Sequence, residues 1–413
     1  RRILRIVIQI LRSFPALILA LTATFLFGLG TFAGTFAITL YTFAIMTKLS
    51  YEDASAADVK AYQALRAMGV SKYVAYIHGI LPEIIPGFLT NALYLLETNV
   101  RHSSILGYVG AGGIGLLLNE KISWLEYDKV GTILLMLFLT VCVIEYFSRY
   151  LAALIRKERT IKKEQARLLL LFLAALFLIC TFTLSLPDFS RTSPQTLRNM
   201  FAGFLQPDWS FFFSAEKDGL GYLLLETVCI AFIGTVIGAI VSAPLAFLNT
   251  KRFVPAPVSF LFNLVIMVIR SVPFLVYGLI FIRVSGPGAF TGVLTLAVCS
   301  IGLLTKRFTE ALDALDPRPY HALLAMGVRP LPAICHSVLP QLKPVFTSII
   351  LYRFDVNIRE ASVLGLVGAG GIGAPLIFSM NQYDWEKAGA IMLGLILSVW
   401  VIDMVSEKTG AGN

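Results

Sequence analysis

Charge is scarce in this chain. Asp, Glu, Lys and Arg make up only 14% of its 413 residues, against 57% hydrophobic residues and a mean hydropathy of +0.78. An ordinary soluble domain carries roughly 25% charged residues, so this composition excludes one. Thiols and imidazoles are few as well: five cysteines (Cys142, Cys180, Cys229, Cys299, Cys335) and four histidines. Scattered and with no CxxC, the cysteines support neither a disulfide framework nor a metal site and read as packing residues. A GxxxxGK[ST] phosphate loop is missing, so any ATP chemistry has to be supplied by another chain. No nucleophile stands beside a base either: His78 and His336 sit at matching places before a Leu-Pro step and read as helix-end polar groups.

What is present in quantity is long apolar sequence. Stretches near the ~20 residues that cross a bilayer recur at roughly 4–26, 30–47, 82–100, 128–150, 168–187, 220–247, 256–282, 289–305, 340–358 and 387–405, about ten spans in all. The first carries Arg12 and runs straight into the next, unlike a cleaved signal peptide. The net charge of +9 would suggest nucleic acid in a soluble protein. Here the basic residues fall in loops: Arg1, Arg2 and Arg5; Lys48, Lys60, Arg66 and Lys72; 156–163; Lys251 and Arg252; Lys306, Arg307, Arg318 and Arg329. The positive-inside rule places these in the cytoplasm and the segments 101–127, 188–217 and 359–386 outside. The lipid bilayer, not nucleic acid, is therefore the expected partner of that charge.

The chain also repeats itself. Arg12-Ser13-Phe14-Pro15 matches Arg270-Ser271-Val272-Pro273, "AMGV" at 67–70 matches 325–328, Leu81-Pro82 matches Leu339-Pro340, and "VGAGGIG" at 109–115 returns at 367–373, every time 258 residues on. A fixed offset of this kind marks a tandem duplication. The expected organisation is a first repeat at 1–155, a charged cytoplasmic linker "RKERTIKKEQAR" at 156–167, and a second repeat at 168–413. The second opens with two spans, 168–187 and 220–247, that have no counterpart in the first, so the first is expected to be short of its two N-terminal spans.

Each VGAGGIG contains G-x-G-x-x-G. A dinucleotide site needs that spacing between a strand and a helix in a soluble βαβ unit, whereas both copies lie between membrane spans. Gly112 and Gly113, with Gly370 and Gly371, instead permit a tight re-entrant backbone against which helices can pack, and successive N–H groups there can form an anion nest. Just before each run stands a polar set: Glu97, Asn99, Arg101, Ser103 and Ser104, then Asp355, Asn357, Arg359, Ala361 and Ser362. An acid four residues ahead of an arginine shares its helical face and can pair with it. Such groups at membrane depth either line a polar path or lock a helix to its neighbour. Arg12 and Arg270, each followed by a kinking proline, leave the same two readings open, while Glu145 and Asp403 read as anchors. "GTVIG" at 234–238 and the pairs Gly30/Gly34 and Gly288/Gly292 predict close helix packing.

Two cytoplasmic loops predict a helix, a bend and a helix. In the second, Asp316 is the expected N-cap, Pro317 the first helical residue and Gly327 the stop; Gly69 holds the same place in the first. Tyr62, Ala64, Met68, Gly69, Leu81 and Pro82 mark one loop, and Tyr320, Ala322, Met326, Gly327, Leu339 and Pro340 the other.

These residues resemble the EAA coupling-loop signature of permease subunits of ATP-binding-cassette importers. Gln63 and His321 replace the usual glutamate, Leu65 and Leu323 the second alanine, and Gly79 and Ser337 the isoleucine. "GLGYLLLETVCIAFIGTVIGAIVSAPLAFL", "RSVPFLVYGLIF", "YHALLAMGV" and "REASVLGLVGAGGIG" are similar to phosphonate importer permeases in wording and order. The resemblance implies an all-α polytopic protein of the bacterial inner membrane, built from two type I importer repeats. It implies a cytoplasmic ATPase dimer, which would hold the ATP and Mg, and an extracytoplasmic phosphonate-binding protein. This chain would hold no cofactor and no metal. Arg101, Ser104, Asn99, Glu97, Arg359, Ser362, Asn357 and Asp355 would belong to the substrate pathway. Methionine, phosphate or another anion is the nearest alternative cargo, and an ion-coupled secondary transporter the alternative mechanism.

Overall fold

The computed structural model describes residues 15–155, 163–184, 194–214, 216 and 219–410. Among them every regular element is helical, as lipid requires of a chain that must satisfy each backbone N–H and C=O within its own segment. The chain divides into two compact units, Arg1–Ser193 and Pro194–Asn413.

In the first unit the helices are α1 (Ala16–Phe27), α2 (Thr31–Ala56), α3 (Lys60–Ala67), α4 (Lys72–Gly79), α5 (Leu81–Leu106), α6 (Ile114–Ser123), α7 (Tyr127–Ile155) and α8 (Lys163–Phe182). Phe27 closes α1 against Phe32 and Phe36 of α2, edge to face at 5.1 and 4.9 Å. Threonines inside α2 satisfy their hydroxyls on their own helix, Thr35 on the Thr31 carbonyl at 2.9 Å and Thr39 on that of Thr35 at 2.8 Å, the cheapest solution where water is absent.

In the second unit they are α9 (Pro194–Leu205), α10 (Trp209–Phe212), α11 (Leu220–Asn249), α12 (Ala256–Ser271), α13 (Phe274–Ser285), α14 (Ala289–Ala314), α15 (Arg318–Ala325), α16 (Pro330–Ala333), α17 (Leu339–Leu364), α18 (Gly373–Asn381) and α19 (Trp385–Gly410). The GTVIG notch works as its small residues predict. A Cβ on Gly234 would lie 2.8 Å from that of Leu296, and one on Gly238 only 2.4 Å from that of Ser300, so α11 and α14 meet backbone to backbone.

Among the described residues six helices are long and apolar enough to span a membrane, or eight if each of two bent pairs counts as one span, where about ten were expected of the whole chain. Two stretches account for the difference. The 4–26 run extends beyond the described residues, which include only the 12 residues of α1. α8 opens with Lys163, Glu164 and Arg167, leaving about 15 apolar residues where ~20 are needed. The 256–282 stretch is a broken span: α12 and α13 meet at 85°, because Pro273, with φ −62° and ψ 144°, starts a new helix after Arg270 closes the old one. Pro15 begins α1 with nearly the same angles; its neighbour Arg12 lies outside the described residues, as does the side chain of Asp403. The α15 boundary also shifts by one. Pro317, not Asp316, is the N-cap, and the Asp316 carboxylate accepts from the Arg318 N–H at 3.0 Å.

Candidate functional site

α17 carries two polar faces, separated by helical geometry. Residues 355 and 359 lie one turn apart on the first, and Arg359 donates to the Asp355 carboxylate with both side chains nearly buried, 14% and 10% exposed. α5 repeats the pair 258 residues earlier: Arg101 Nη2 reaches Glu97 Oε1 at 2.7 Å, the side chains 17% and 11% exposed. The pairing expected from the i, i+4 spacing is thus present in both units.

The second face, 353, 357 and 360, joins Asn357, which the sequence singled out, to an ion pair, Arg353 and Glu360, that it did not. Arg353 donates through Nη2 to Glu360 Oε2 at 2.8 Å and through Nε to Ser300 Oγ at 3.1 Å. Asn357, wholly buried, donates to the same Ser300 Oγ at 2.9 Å and to Thr235 Oγ1 at 2.6 Å, so it joins α17 to α14 and α11. In the first unit Asn99 donates to Thr42 Oγ1 at 2.8 Å, and Thr42 is the counterpart of Ser300. The ion pair has no such counterpart, since Leu95 and His102 stand where Arg353 and Glu360 would fall. The spacing i, i+7 was its one signal, and comparing the repeats hid it. Ser362 is buried and returns its hydroxyl to the Ile358 carbonyl at 2.8 Å. The Ser104 side chain lies outside the described residues.

Each glycine run is a backbone knot. Gly110 and Gly368 take left-handed angles after a short 3-10 turn. Their N–H groups return to Gly107 and Gly365, and those of Ala111 and Ala369 to Leu106 and Leu364, at 3.0 to 3.2 Å, which is a Schellman closure. The knot then seats on the helix before it. Gly30 N–H donates to the Gly110 carbonyl at 3.0 Å and Gly288 N–H to that of Gly368 at 2.9 Å. A Cβ on Gly34 or Gly292 would come within 2.8 or 2.5 Å of the Ala111 or Ala369 oxygen. The Gly30/Gly34 and Gly288/Gly292 pairs therefore receive the glycine loop, and Gly292 also packs against Ile230 of α11, 3.0 Å from a built Cβ. Gly112, Gly113, Gly370 and Gly371 all have positive φ, and Thr227 Oγ1 secures the end of the second run by accepting from Ile372 N–H at 3.0 Å.

The helix–bend–helix elements form as expected. Gly69 and Gly327 turn at φ +82° and +83°, with Val70 and Val328 N–H closing on Leu65 and Leu323. At each bend a methionine points outward, Met68 70% and Met326 78% exposed, and Ala64 and Ala322 are also exposed. α4 lies directly on α3, for a Cβ on Gly79 would be 2.8 Å from the Tyr62 backbone. Tyr320 is held edge-on by Phe253 at 5.6 Å. Leu81-Pro82 and Leu339-Pro340 open α5 and α17. His78 and His336 are exposed helix-end groups.

A cavity of about 560 Å³ in the second unit is lined by none of these residues; Asp208, Phe211, Ser379, Asp384 and Lys387 contribute to it. The Asp208 carboxyl is held below its ordinary pKa, first by the Ser210 hydroxyl and then by the Phe211 N–H.

Residues 1–161 and 234–407 match the family described as binding-protein-dependent transport system inner membrane component. The phosphate-import permease protein PhnE of Mycolicibacterium smegmatis is 28% identical over 410 residues, 97% of this chain and 76% of that protein. The phosphite transport system permease protein PtxC of Stutzerimonas stutzeri is 36% identical over 184 residues, 44% of this chain and 67% of its own. PhnE2 of Escherichia coli K12, whose name assigns it to a cryptic phosphonate transport system, is 37% identical over 116 residues, 28% of this chain and 95% of its own. Two matched segments, two helical units and a membrane-spanning composition agree: the chain belongs to the family of inner-membrane components of binding-protein-dependent transport systems.

Proposed function

We propose that the chain forms the translocation pathway of an ATP-driven importer for a phosphorus oxyanion, a phosphonate in the first instance. The observation that carries this reading is the repeated helix–Gly–helix element, exposed at Met68 and Met326 on segments that the basic residues assign to the cytoplasm. A cytoplasmic ATPase dimer would seat there and hold the ATP and Mg. An extracytoplasmic phosphonate-binding protein would deliver the solute on the opposite side. Phosphate, phosphite and phosphonate, the cargoes in the names of the three relatives, share a tetrahedral anionic phosphorus centre, which supports that substrate class over methionine.

Within the membrane the work of this chain is electrostatic. Arg101 and Arg359 are each paired with an acid, so each face is neutral at rest. An anion that competes for the guanidinium meets attraction without a tight site, as a conduit that must also release requires.

The test is ATP-dependent uptake by the complete complex in proteoliposomes. Arg359→Ala should lower uptake about tenfold, equivalent to ~1.4 kcal/mol of lost attraction, with the ATPase still bound. The double variant Asp355→Asn/Arg359→Gln keeps a neutral, hydrogen-bonded face. It should transport as poorly as Arg359→Ala if the arginine serves the anion, and normally if the pair merely locks a helix. Competition by phosphite, phosphate and methionine ranks the cargoes, and uptake without the ATPase would point to an ion-coupled transporter instead.

A further inference from the structure

α17 carries two carboxylates, Asp355 and Glu360, and they spend their oxygens differently. Glu360 gives both to Arg353, with Oε2 at 2.8 Å from Nη2 and Oε1 at 3.4 Å from Nη1. Asp355 gives only one. Its Oδ2 accepts from Arg359, while its Oδ1, on a residue 7% exposed overall, has no hydrogen-bond partner among the described residues. Other donors along this stretch are committed elsewhere: Asn357 to Thr235 and Ser300, and Ser362 to the Ile358 carbonyl. A carboxylate oxygen shut away from water without a donor is costly, and buried polar atoms are satisfied as a rule. An exception beside the arginine of a solute path points to a donor that the solute itself brings.

A singly protonated phosphorus oxyanion brings one. Its P–O⁻ oxygens suit a guanidinium through charge-assisted hydrogen bonds, and its P–OH can donate to a carboxylate. Asp355 and Arg359 offer an acceptor and a donor side by side, one helical turn apart. The same carboxylate repels an oxyanion that has shed every proton, and such an ion leaves Oδ1 unpaired; rejection of this kind is half of specificity.

We propose that Asp355 is a specificity-determining residue of the pathway: it admits oxyanions that keep at least one P–OH and selects against those that offer only P–O⁻ or ester oxygens. The atom is covered in this conformation, so the contact forms as the solute displaces the Asp355–Arg359 pair in transit. Glu97 holds the equivalent position in the first unit, again paired with its arginine, so an acid of either length can sustain the arrangement. The inference rests on the transport reading above and narrows its substrate class.

The experiment compares two solutes that carry the same single charge, methylphosphonate and its O-methyl ester, in ATP-dependent uptake by proteoliposomes containing the complete complex. The buffer is slightly acid, so that the parent keeps its P–OH, and each solute is supplied at a concentration that saturates the external binding protein, as checked by calorimetry. Unaltered protein should carry the ester about tenfold more slowly than the parent, or slower still, a difference of ~1.4 kcal/mol, because a site that bonds a hydroxyl rejects the analogue lacking it. Asp355→Asn, whose amide can turn either its oxygen or its NH2 to the solute, should bring the two rates within about threefold of each other, under that same energy. Asp355→Glu should keep the gap. All three proteins draw on one binding protein, so its own preference cancels when their ratios are compared. Equal uptake of both solutes by unaltered protein, or a proportionate slowing of both in Asp355→Asn, would overturn the inference and leave Asp355 a helix lock with water on its second oxygen. Should Asp355→Asn fail to assemble, Asp355→Ser is judged by the same ratio. Unaltered protein that shows no ATP-dependent uptake of the parent would instead sink the transport reading, so the two failures are distinguishable.

Discussion

At the residue scale, the informative backbone is not where glycine stands. Leu125 and Tyr383, 258 residues apart, have φ of 61° and 59°, a region that costs a residue with a Cβ about 1–2 kcal/mol. Each closes a Schellman turn, with Glu126 N–H on Lys121 O at 3.0 Å and Asp384 N–H on Ser379 O at 2.8 Å. Leu125 is 54% exposed, so its side chain contributes little packing. Leu125→Gly should relieve the strain and return ~0.4–1 kcal/mol of it as extra unfolded-state entropy, a net gain near 0.5 kcal/mol readable as a higher unfolding temperature in detergent. Tyr383→Gly should gain less, because the ring meets Trp385 edge-on at 5.7 Å. The sequence marked Gly69, Gly112, Gly327 and Gly370 as turn residues because glycine advertises a positive φ. A leucine or tyrosine in the same conformation advertises nothing. Arg353 and Glu360 were hidden for a related reason: seven residues apart, with Asp355, Asn357 and Arg359 between them offering nearer partners, they show as a pair only once the helix is packed.

At the element scale, spacing settled which segments are helical, and packing settled how they end. The apolar runs gave the spans, the GTVIG notch gave the α11–α14 contact, and i, i+4 spacing gave the two acid–arginine pairs. The 85° break between α12 and α13 was readable only as a kink, since a proline alone does not say whether the chain bends or starts afresh. The glycine pairs Gly30/Gly34 and Gly288/Gly292 were read as helix contacts; Gly292 does meet Ile230 of α11, but both pairs also receive the glycine loop, which the sequence did not show because small residues permit close approach without naming what approaches. Their role is measurable. Gly292→Ala would put a Cβ 2.5 Å from the Ala369 carbonyl and 3.0 Å from Ile230, an overpacking that costs ~1–3 kcal/mol. Gly131 lies inside α7 with no atom within 4 Å of a built Cβ, and Gly131→Ala should stabilise by ~0.8–1 kcal/mol through helix propensity. Thermal unfolding that ranks the two variants in the opposite order would disprove the seat for the glycine loop.

At the scale of the whole molecule, the duplication was legible from one offset, and the places where Lys and Arg collect assign an orientation. Orientation is the claim on which the coupling elements depend, and the cysteines offer a direct way to check it. Cys299 is buried and Cys142 partly so. Cys229 is exposed on α11, an apolar span, and Cys180 on the apolar α8, surfaces that lipid covers and water-soluble reagents do not reach. Cys335 is exposed in the π-helical segment Ile334–Val338 that follows the second bend. A membrane-impermeant maleimide should therefore label inside-out vesicles stripped of ATPase at one position, with the signal removed by Cys335→Ser, and should leave intact cells unlabelled. Labelling of Cys335 from the outer side would invert the topology, put Met68 and Met326 beyond reach of any cytoplasmic ATPase, and remove the ATP-driven reading.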